Sequence, residues 1–225
     1  MRQIGYNRFN NWKLLSRKAD VMTDNNMEQQ FQQIEYHLLH DECPSEYLER
    51  ISKEPWFSDY PFSMLLKLKE TPQSKRYHPE GSVWNHTLMV VDEAAKRKQE
   101  SKSDRTFMWA ALLHDIGKPG VTKTRKGRIT SYNHDFEGEQ LAIDFLSCYT
   151  NDVSLIGAVA KLVRYHMHVM YITEGLPFGD ADRLKQETDI SEVALLGLCD
   201  RIGRGGSDPE YEKKVVRKFQ EMMRN

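Results

Sequence analysis

Residues that can bind a metal ion lie on otherwise apolar helical faces of this sequence. His86, in VWNHTLMVV, is within one helical turn of Met89 and Val90, so its side chain shares their inward face. A lone histidine on such a face is more often a hydrogen-bonded core residue than a metal ligand. The ligand interpretation of His86 therefore depends on its companions.

The next candidates are His114 and Asp115, adjacent in FMWAALLHDIGKPG, where Gly117 and Pro119 predict the end of a helix. The plain interpretation is a capping aspartate beside a packed histidine. Burying a carboxylate in apolar surroundings is unfavourable, however, unless a cation or hydrogen bonds compensate. A metal ion would supply that compensation.

Asp200 poses the same problem on a later helix. In ISEVALLGLCDRIGRGG it continues the apolar stripe of Val193 and Leu196 at helical spacing. The neighbouring Arg201 offers a salt bridge, but adjacent helix positions point about 100° apart, so the two side chains do not readily share one buried pocket. We therefore favour a ligand role for Asp200.

The elements that must position these residues are helices. Apolar periodicity predicts helices over 27–40, 45–53, 61–70, 83–99, 104–115, 136–149, 152–167 and 189–202. Residues 1 to about 26 lack a sustained period and are predicted to form a peripheral arm. Extended structure is indicated weakly in VTKTRKGRITSY, as a short hairpin or an irregular basic loop. The predicted fold class is all-α.

Composition excludes several classes of protein. The 32 Lys and Arg nearly cancel the 33 Asp and Glu, so overall charge indicates neither a nucleic-acid nor a membrane partner. The cysteines at 43, 148 and 199 are odd in number and far apart, which argues against a disulfide framework or a Cys-rich zinc module. No segment approaches the ~20 apolar residues of a membrane span. We expect a soluble, cytoplasmic protein without a signal peptide.

The ordered set His86, His114 with Asp115, and Asp200 resembles the His, His-Asp, Asp signature of the HD phosphohydrolase superfamily, in its extended HDIGK form. Within it, the chain most resembles the HD region attached to bacterial tRNA nucleotidyltransferases. The segments that carry this resemblance are YHPEGSVWNHTL, AALLHDIGK, NHDFEGEQLA and LCDRIGRGG. The first 80 residues contain no glycine-serine loop followed by paired carboxylates on a strand, so CCA addition is not implied.

The resemblance implies an HD-type helical bundle over residues 45–207. The predicted division adds an N-terminal arm and helix, residues 1–44, as a helical extension, and a C-terminal helix over 208–225.

Two further histidines are candidates for a second ion. His134 stands before a predicted helix and His166 ends one, and both match the order His, His-Asp, His, His, Asp of binuclear HD enzymes. Asp115 would then bridge two ions. The alternative for His134 is an exposed histidine at a helix start, and for His166 a cation favoured by the helix dipole. His168 is a weaker candidate ligand. The imidazole and carboxylate donors suit Mn²⁺, Fe²⁺, Co²⁺, Ni²⁺ or Zn²⁺.

These residues imply attack of a metal-bound hydroxide on phosphorus, with Asp115 and Lys118 as catalytic residues. Lys118, Arg201 and Arg204 are candidates for substrate binding, although both arginines could equally pair with surface acids. The predicted function is a phosphomonoesterase or phosphodiesterase acting on a nucleotide, a cyclic nucleotide or an RNA-terminal phosphate. A noncatalytic HD module that binds tRNA or a protein partner is the alternative, and an oxygenase is a third.

The basic run KTRKGR, residues 123–128, directly follows the HDIGK motif. It is a candidate wall of the site that would attract a polyanion, although charge runs are usually just solvated. Pro177 and Gly179 predict a loop over the other side. Trp84 and Tyr165 flank candidate ligands, as core residues or as surfaces on which a base could stack.

Overall fold

The computed structural model describes residues 26–224, so the predicted arm lies almost wholly outside the described residues. The first helix, α1, covers residues 26–40 and buries Phe31, Ile34 and Leu38, which recur at helical spacing. It is followed by α2 (Pro44–Ile51), where the proline occupies the first helical position. A 3₁₀ turn (Pro55–Ser58) and α3 (Ser63–Glu70) complete this N-terminal helical region.

The remaining helices form the bundle that surrounds the candidate site. In chain order they are α4 (Val83–Ala95), α5 (Asp104–Leu113), α6 (Lys118–Val121), α7 (His134–Ser147), α8 (Val153–Tyr165), α9 (His168–Thr173), α10 (Ala181–Glu187), α11 (Ile190–Ile202) and α12 (Pro209–Arg224). Side-chain oxygens of Ser82, Ser103 and Asp152 accept hydrogen bonds from backbone N–H groups in the first turns of α4, α5 and α8. These caps explain where the three helices begin.

The helix α5 lies at the centre of the bundle. Every residue from 107 to 113 is buried, so this helix has no solvent-facing side over its last two turns. It packs against α4, α8 and α11. A helix that is apolar all round must be surrounded by others. Because the end of α5 is buried, His114 and Asp115, which directly follow it, lie in the interior of the bundle.

A two-stranded antiparallel hairpin interrupts the helices, with β1 (Lys123–Arg125) paired to β2 (Arg128–Thr130). Lys126 and Gly127 form its turn with φ of 48° and 76°, the left-handed backbone that a two-residue hairpin turn requires. The basic run thus forms a hairpin, one of the two forms the sequence allowed. The prediction of an all-α bundle with an N-terminal helical extension is confirmed, since this hairpin is the only paired sheet among residues 26–224.

Several boundaries differ from the predicted ones. The helix predicted over 83–99 ends at Ala95, because the following KRKQE offers no apolar residue to bury, and a 3₁₀ turn (Lys98–Glu100) follows. Pro119 does not act only as a stop. It lies in the first turn of α6, where a backbone N–H has no partner within the helix, so a proline there loses no hydrogen bond. Neither α9 nor α10 was predicted as a separate element. The division at residues 45 and 207 stays a prediction.

Within the described part of the chain, none of the helices combines the length and the apolar character needed to cross a bilayer.

Candidate metal centre

The predicted ligands converge in the interior from separate elements. One histidine lies on α4, a histidine and an aspartate follow α5, one histidine begins α7, one follows α8, and an aspartate lies on α11. None of them is more than 5% exposed. They are His86, His114, Asp115, His134, His166 and Asp200. Tertiary packing thus brings together residues up to 114 positions apart in the chain.

These residues form two adjoining groups. In one, the ligand atoms of His86, His114 and Asp200 all lie within 4.8 Å of one another, and the same holds for Asp115, His134 and His166 in the other. Asp115 Oδ2 is 3.3 Å from His114 Nε2 and 3.9 Å from His86 Nε2. Its Oδ1 is 3.4 Å from His134 Nε2 and 3.7 Å from His166 Nε2. Asp115 therefore presents one oxygen to each group.

Backbone carbonyls orient three of the histidine rings. The Nδ1 atoms of His114, His134 and His166 lie 2.8, 2.8 and 2.6 Å from carbonyl oxygens three residues earlier in the chain. Because a carbonyl can only accept, Nδ1 carries the hydrogen and donates it. Each Nε2 is then left with a lone pair directed at the centre of the cluster, which is the arrangement found in metal-binding histidines.

A carboxylate orients the fourth ring. His86 Nδ1 lies 3.1 Å from Glu80 Oε1, and the same oxygen lies 2.9 Å from His78 Nδ1. The backbone N–H of Gly205 donates to the other oxygen of Glu80. Burial raises the pKa of Glu80, but hydrogen bonds from His78 and His86 outweigh it and hold the pKa below its usual range. Sequence reasoning missed Glu80, although it lies in the YHPEG segment that carried the resemblance.

The geometry of His134 and His166 favours a cation between them. Their Nε2 atoms are 3.1 Å apart, and with both Nδ1 atoms protonated two lone pairs face each other. Burial lowers the pKa of His134 to about 3 and also lowers that of His166, so neither ring readily takes up a proton to relieve the repulsion. His114 Nε2 and both oxygens of Asp115 are buried without a hydrogen bond. A divalent ion bound by these nitrogen and oxygen atoms fits the arrangement.

Two side-chain cations help to stabilise the buried carboxylates. Lys118 Nζ is 2.7 Å from Asp115 Oδ2, and Arg204 Nη2 is 3.0 Å from Asp200 Oδ2. Burial raises the pKa of both aspartates, but these cations and the neighbouring histidines hold it well below the usual range. Both carboxyls are therefore ionised. The argument that Asp200 needs a metal is weaker than the sequence suggested, because Arg204, one turn later, already supplies a positive charge.

The predicted substrate-binding residues differ in their surroundings. Lys118 is buried between Asp115 and Gln73, whose side-chain oxygen accepts a hydrogen bond of 2.7 Å from it. Arg201 Nε donates to Glu212 at 2.5 Å, so it pairs with an acid of α12. Lys118, Arg201 and Arg204 all line the cavity described below, and their contact with a substrate stays a prediction.

Two further contacts position His134 and His166. Arg164 Nη1 lies 2.6 Å from Asp135 Oδ2 in a buried ion pair that joins the start of α7 to the end of α8. A Cβ atom at Gly117 would lie 2.1 Å from the carbonyl oxygen of His134. Only glycine allows so close an approach of the HDIGK turn to α7. The sequence marked Gly117 as a helix terminator and gave no signal of this contact.

The cluster opens into a cavity of about 840 Å³, lined by Asp115, His134, His166 and Asp200. Of the basic run predicted as a wall, residues 123–128, only Gly127 and Arg128 line the cavity, and the uncharged residues 129–133 complete that side. Leu176 and Phe178 line it too, in the loop predicted over the other side. Trp84 and Tyr165 are each 1% exposed and belong to the core. His168 is buried but belongs to neither ligand group.

Comparison with known proteins agrees with this geometry. The family model described as HD domain matches residues 83–205. The multifunctional CCA protein of Actinobacillus pleuropneumoniae serotype 5b (strain L20) is 27% identical over 160 residues, which are 68% of this chain and 38% of that protein. That of Azoarcus sp. (strain BH72) is 27% identical over 154 residues, 65% of this chain and 35% of that protein.

A shorter match, 46% identical over 55 residues, is to the multifunctional CCA protein of Pseudomonas fluorescens (strain SBW25), covering 24% of this chain and 12% of that protein. This chain thus spans well under half the length of these curated relatives. The resemblance to the HD region of CCA proteins is confirmed, at a distant level of identity.

Proposed function

The chain belongs to the HD domain family, and from this we propose that it is a metal-dependent phosphohydrolase. Its expected substrate is a nucleotide, a cyclic nucleotide or an RNA-terminal phosphate, cleaved as a phosphomonoester or phosphodiester. The observation that carries the proposal is the pair of Nε2 atoms of His134 and His166, 3.1 Å apart beside Asp115 Oδ1, which is buried without a hydrogen bond. Such a buried arrangement is unfavourable without a metal ion.

We assign two ion positions to the two ligand groups. His86, His114 and Asp200 would hold one ion, His134 and His166 would hold the other, and Asp115 would contribute to both. The imidazole and carboxylate donors suit Mn²⁺, Fe²⁺, Co²⁺, Ni²⁺ or Zn²⁺. Divalent ions bound there would lower the pKa of water and offset the negative charge of phosphate oxygens.

The chain's own residues have distinct roles in this proposal. Lys118 keeps Asp115 ionised, and its ammonium group, which lines the cavity, is available to a nonbridging phosphate oxygen. Arg204 keeps Asp200 ionised and places a second positive charge on the cavity lining. The carbonyl and carboxylate partners of the histidine Nδ1 atoms hold each ring with Nε2 facing inward. The burial of the cluster limits the access of bulk water.

A noncatalytic binding module, the alternative raised by the sequence, has no need of buried ligand atoms without hydrogen-bond partners. Buried polar atoms without hydrogen-bond partners destabilise the fold unless they bind a ligand. This cost is why we favour an enzyme over a detached binding domain.

The test combines metal analysis with hydrolysis assays. The purified chain is expected to retain a transition metal and, with Mn²⁺, Co²⁺ or Ni²⁺, to hydrolyse p-nitrophenyl phosphate, bis-p-nitrophenyl phosphate or a 2′,3′-cyclic nucleotide. Asp115→Asn keeps the shape of the side chain but removes its charge, and should lose both metal and activity. Asp182→Asn, at an exposed position of α10, is the matched control. The proposal fails if the wild type binds no metal, hydrolyses none of these compounds and behaves like Asp115→Asn.

A further inference from the structure

A group of exposed cations beside the cavity has no ion-pair partner. They belong to the segment that precedes α4 and to the hairpin, and within residues 26–224 no carboxylate lies within 4 Å of any of them, whereas surface cations such as Lys96, Arg105 and Lys161 are paired. We call this group the basic rim: Lys75, Arg76, Lys123, Arg125, Lys126 and Arg128. Unpaired like charges held together on a surface repel one another, so an anionic ligand would stabilise the rim.

Half of the basic rim lines the cavity or a depression next to it: Arg76 and Arg128 line the cavity, and Lys75 lines the depression. This second depression, of about 600 Å³, lies between the segment before α4 and the hairpin, and Lys69 and Lys75 line it. It shares Gln73, Ser74, Gly127 and Ile129 with the cavity of the metal centre. The two depressions therefore adjoin each other, and the outer one lies next to the cavity of the metal centre.

Aromatic side chains are interleaved with these cations. Tyr77 and Tyr132 are 59% and 64% exposed, and both line the main cavity beside Arg76 and Arg128. Exposed aromatic rings next to cations are the features that bind single-stranded nucleic acids, since bases stack on the rings while phosphates contact the cations.

Acidic groups do little to offset this charge. The carboxylates that line the main cavity are Asp115, Asp200 and Glu174, and the first two already face Lys118 and Arg204. Glu70 lines the outer depression. The lining of the two depressions therefore keeps a net positive charge, to which Lys75, Arg76 and Arg128 of the basic rim contribute.

We propose that the basic rim binds the phosphodiester chain of a single-stranded nucleic acid whose terminal phosphate enters the metal centre. This rests on the phosphohydrolase function proposed above, and it selects the end of a strand over a free nucleotide as the substrate. A single strand is required, because the terminal phosphate must reach Asp115, which is 1% exposed, through the cavity. Bases that are free to stack on Tyr77 and Tyr132 must likewise be unpaired.

The test removes charge from the hairpin without touching the ligand cluster. The variant Lys123→Ser/Arg125→Ser/Lys126→Asn changes only exposed, unpaired residues, and asparagine tolerates the left-handed backbone at position 126. A variant with the same change of charge, Lys185→Ser/Lys214→Ser/Arg217→Ser, alters exposed cations of α10 and α12, outside the basic rim, and serves as the control.

The probe is a fluorescein-labelled 12-nucleotide oligoadenylate with a 3′-phosphate, in an RNA and a DNA form. Fluorescence anisotropy is measured over a range of salt concentrations on full chains that also carry Asp115→Asn, so that the strand stays intact. Loss of three phosphate contacts should reduce the salt-dependence slope by about 2 and weaken binding roughly 10- to 100-fold at 0.1 M salt. The kcat/KM of the hairpin variant with its native Asp115 for a mononucleotide should not change.

Equal affinities and equal salt slopes for the hairpin and control variants would overturn the proposal. So would an equal loss of mononucleotide and oligonucleotide hydrolysis in the hairpin variant. Strand binding that depends on the basic rim, without hydrolysis of any phosphoester, would instead contradict the proposed phosphohydrolase function and leave the rim as a docking surface. Hydrolysis of mononucleotides without strand binding would overturn the proposed role of the basic rim and leave the proposed phosphohydrolase function standing.

Discussion

Substitution of Gly117 by alanine is the most direct test of how the fold positions its ligands. The new Cβ would lie 2.1 Å from the carbonyl oxygen of His134 and 2.6 Å from the backbone nitrogen of Gly138. Contacts shorter than 3.0 Å essentially do not occur, so the start of α7 must retreat by about 0.9 Å. Metal sites tolerate displacements of about 0.5 Å. His134, now 3.4 Å from Asp115 Oδ1, would leave the position that the second ion requires.

The expected result is loss of one ion with retention of the other, because His86, His114 and Asp200 do not contact the clash. A displacement of about 1 Å lowers kcat on the order of 100-fold, and the overpacking costs about 1–3 kcal/mol of stability. Metal stoichiometry by mass spectrometry after dialysis, kcat for a phosphodiester, and the urea midpoint measure the three effects separately. His134→Ala removes the same ligand without a clash and should reproduce the loss of metal.

The matched control is Gly157→Ala. This glycine lies on an exposed position of α8, and an added Cβ would meet no atom within 4 Å. Alanine there should stabilise the helix by about 0.5–1 kcal/mol and leave the metal content unchanged. If Gly117→Ala folds, binds as much metal as the wild type and turns over at the same rate, close approach of the two segments does not position His134, and the reasoning is wrong.

Three further outcomes are expected. Glu80→Gln keeps the shape of the side chain but removes the charge that holds His86, so the metal dissociation constant should rise about 10- to 100-fold in a chelator competition; unchanged affinity would contradict this. Arg164→Met leaves the buried Asp135 unpaired and should lower the free energy of unfolding by about 3–5 kcal/mol in urea, whereas Arg183→Met, at an exposed pair, should change it by under ~1 kcal/mol. Because burial lowers the pKa of His134 to about 3, the unfolded chain binds the proton more tightly, and the metal-free protein should lose stability as pH falls from about 6.5 toward 3. His134→Asn should flatten that part of the profile, and an unchanged slope would count against the neutral, buried ring.

Local pattern was sufficient for much of the helical architecture. The periodic spacing of Phe31, Ile34 and Leu38 predicted the buried face of α1, and these residues are buried. Short elements were harder to predict from the sequence. α10 (Ala181–Glu187) buries only Leu184, so its sequence carries little periodic signal. The hairpin has no buried residue, and its turn depends on the left-handed backbone at Lys126 and Gly127.

The candidate ligands were visible in the sequence because they violate its local pattern. An aspartate such as Asp200 on an apolar stripe, or the His114 and Asp115 pair at the end of an apolar helix, is detectable from spacing alone, since helical periodicity assigns each residue to a face. Their partners were not detectable. Glu80 contacts His86 from a loop without regular structure, and its part depends on how that loop packs.

The sequence by itself thus determined which side chains point inward and which of them have the chemistry to bind a metal. Only the tertiary structure decided that the Nε2 atoms of His134 and His166 lie 3.1 Å apart, that Arg204 shares Asp200 with the site, and that the unpaired basic rim lies beside the cavity. The physical reason is distance along the chain. Helical periodicity is a local property, whereas contacts between residues such as His86 and Asp200, 114 positions apart, are set by how whole helices pack.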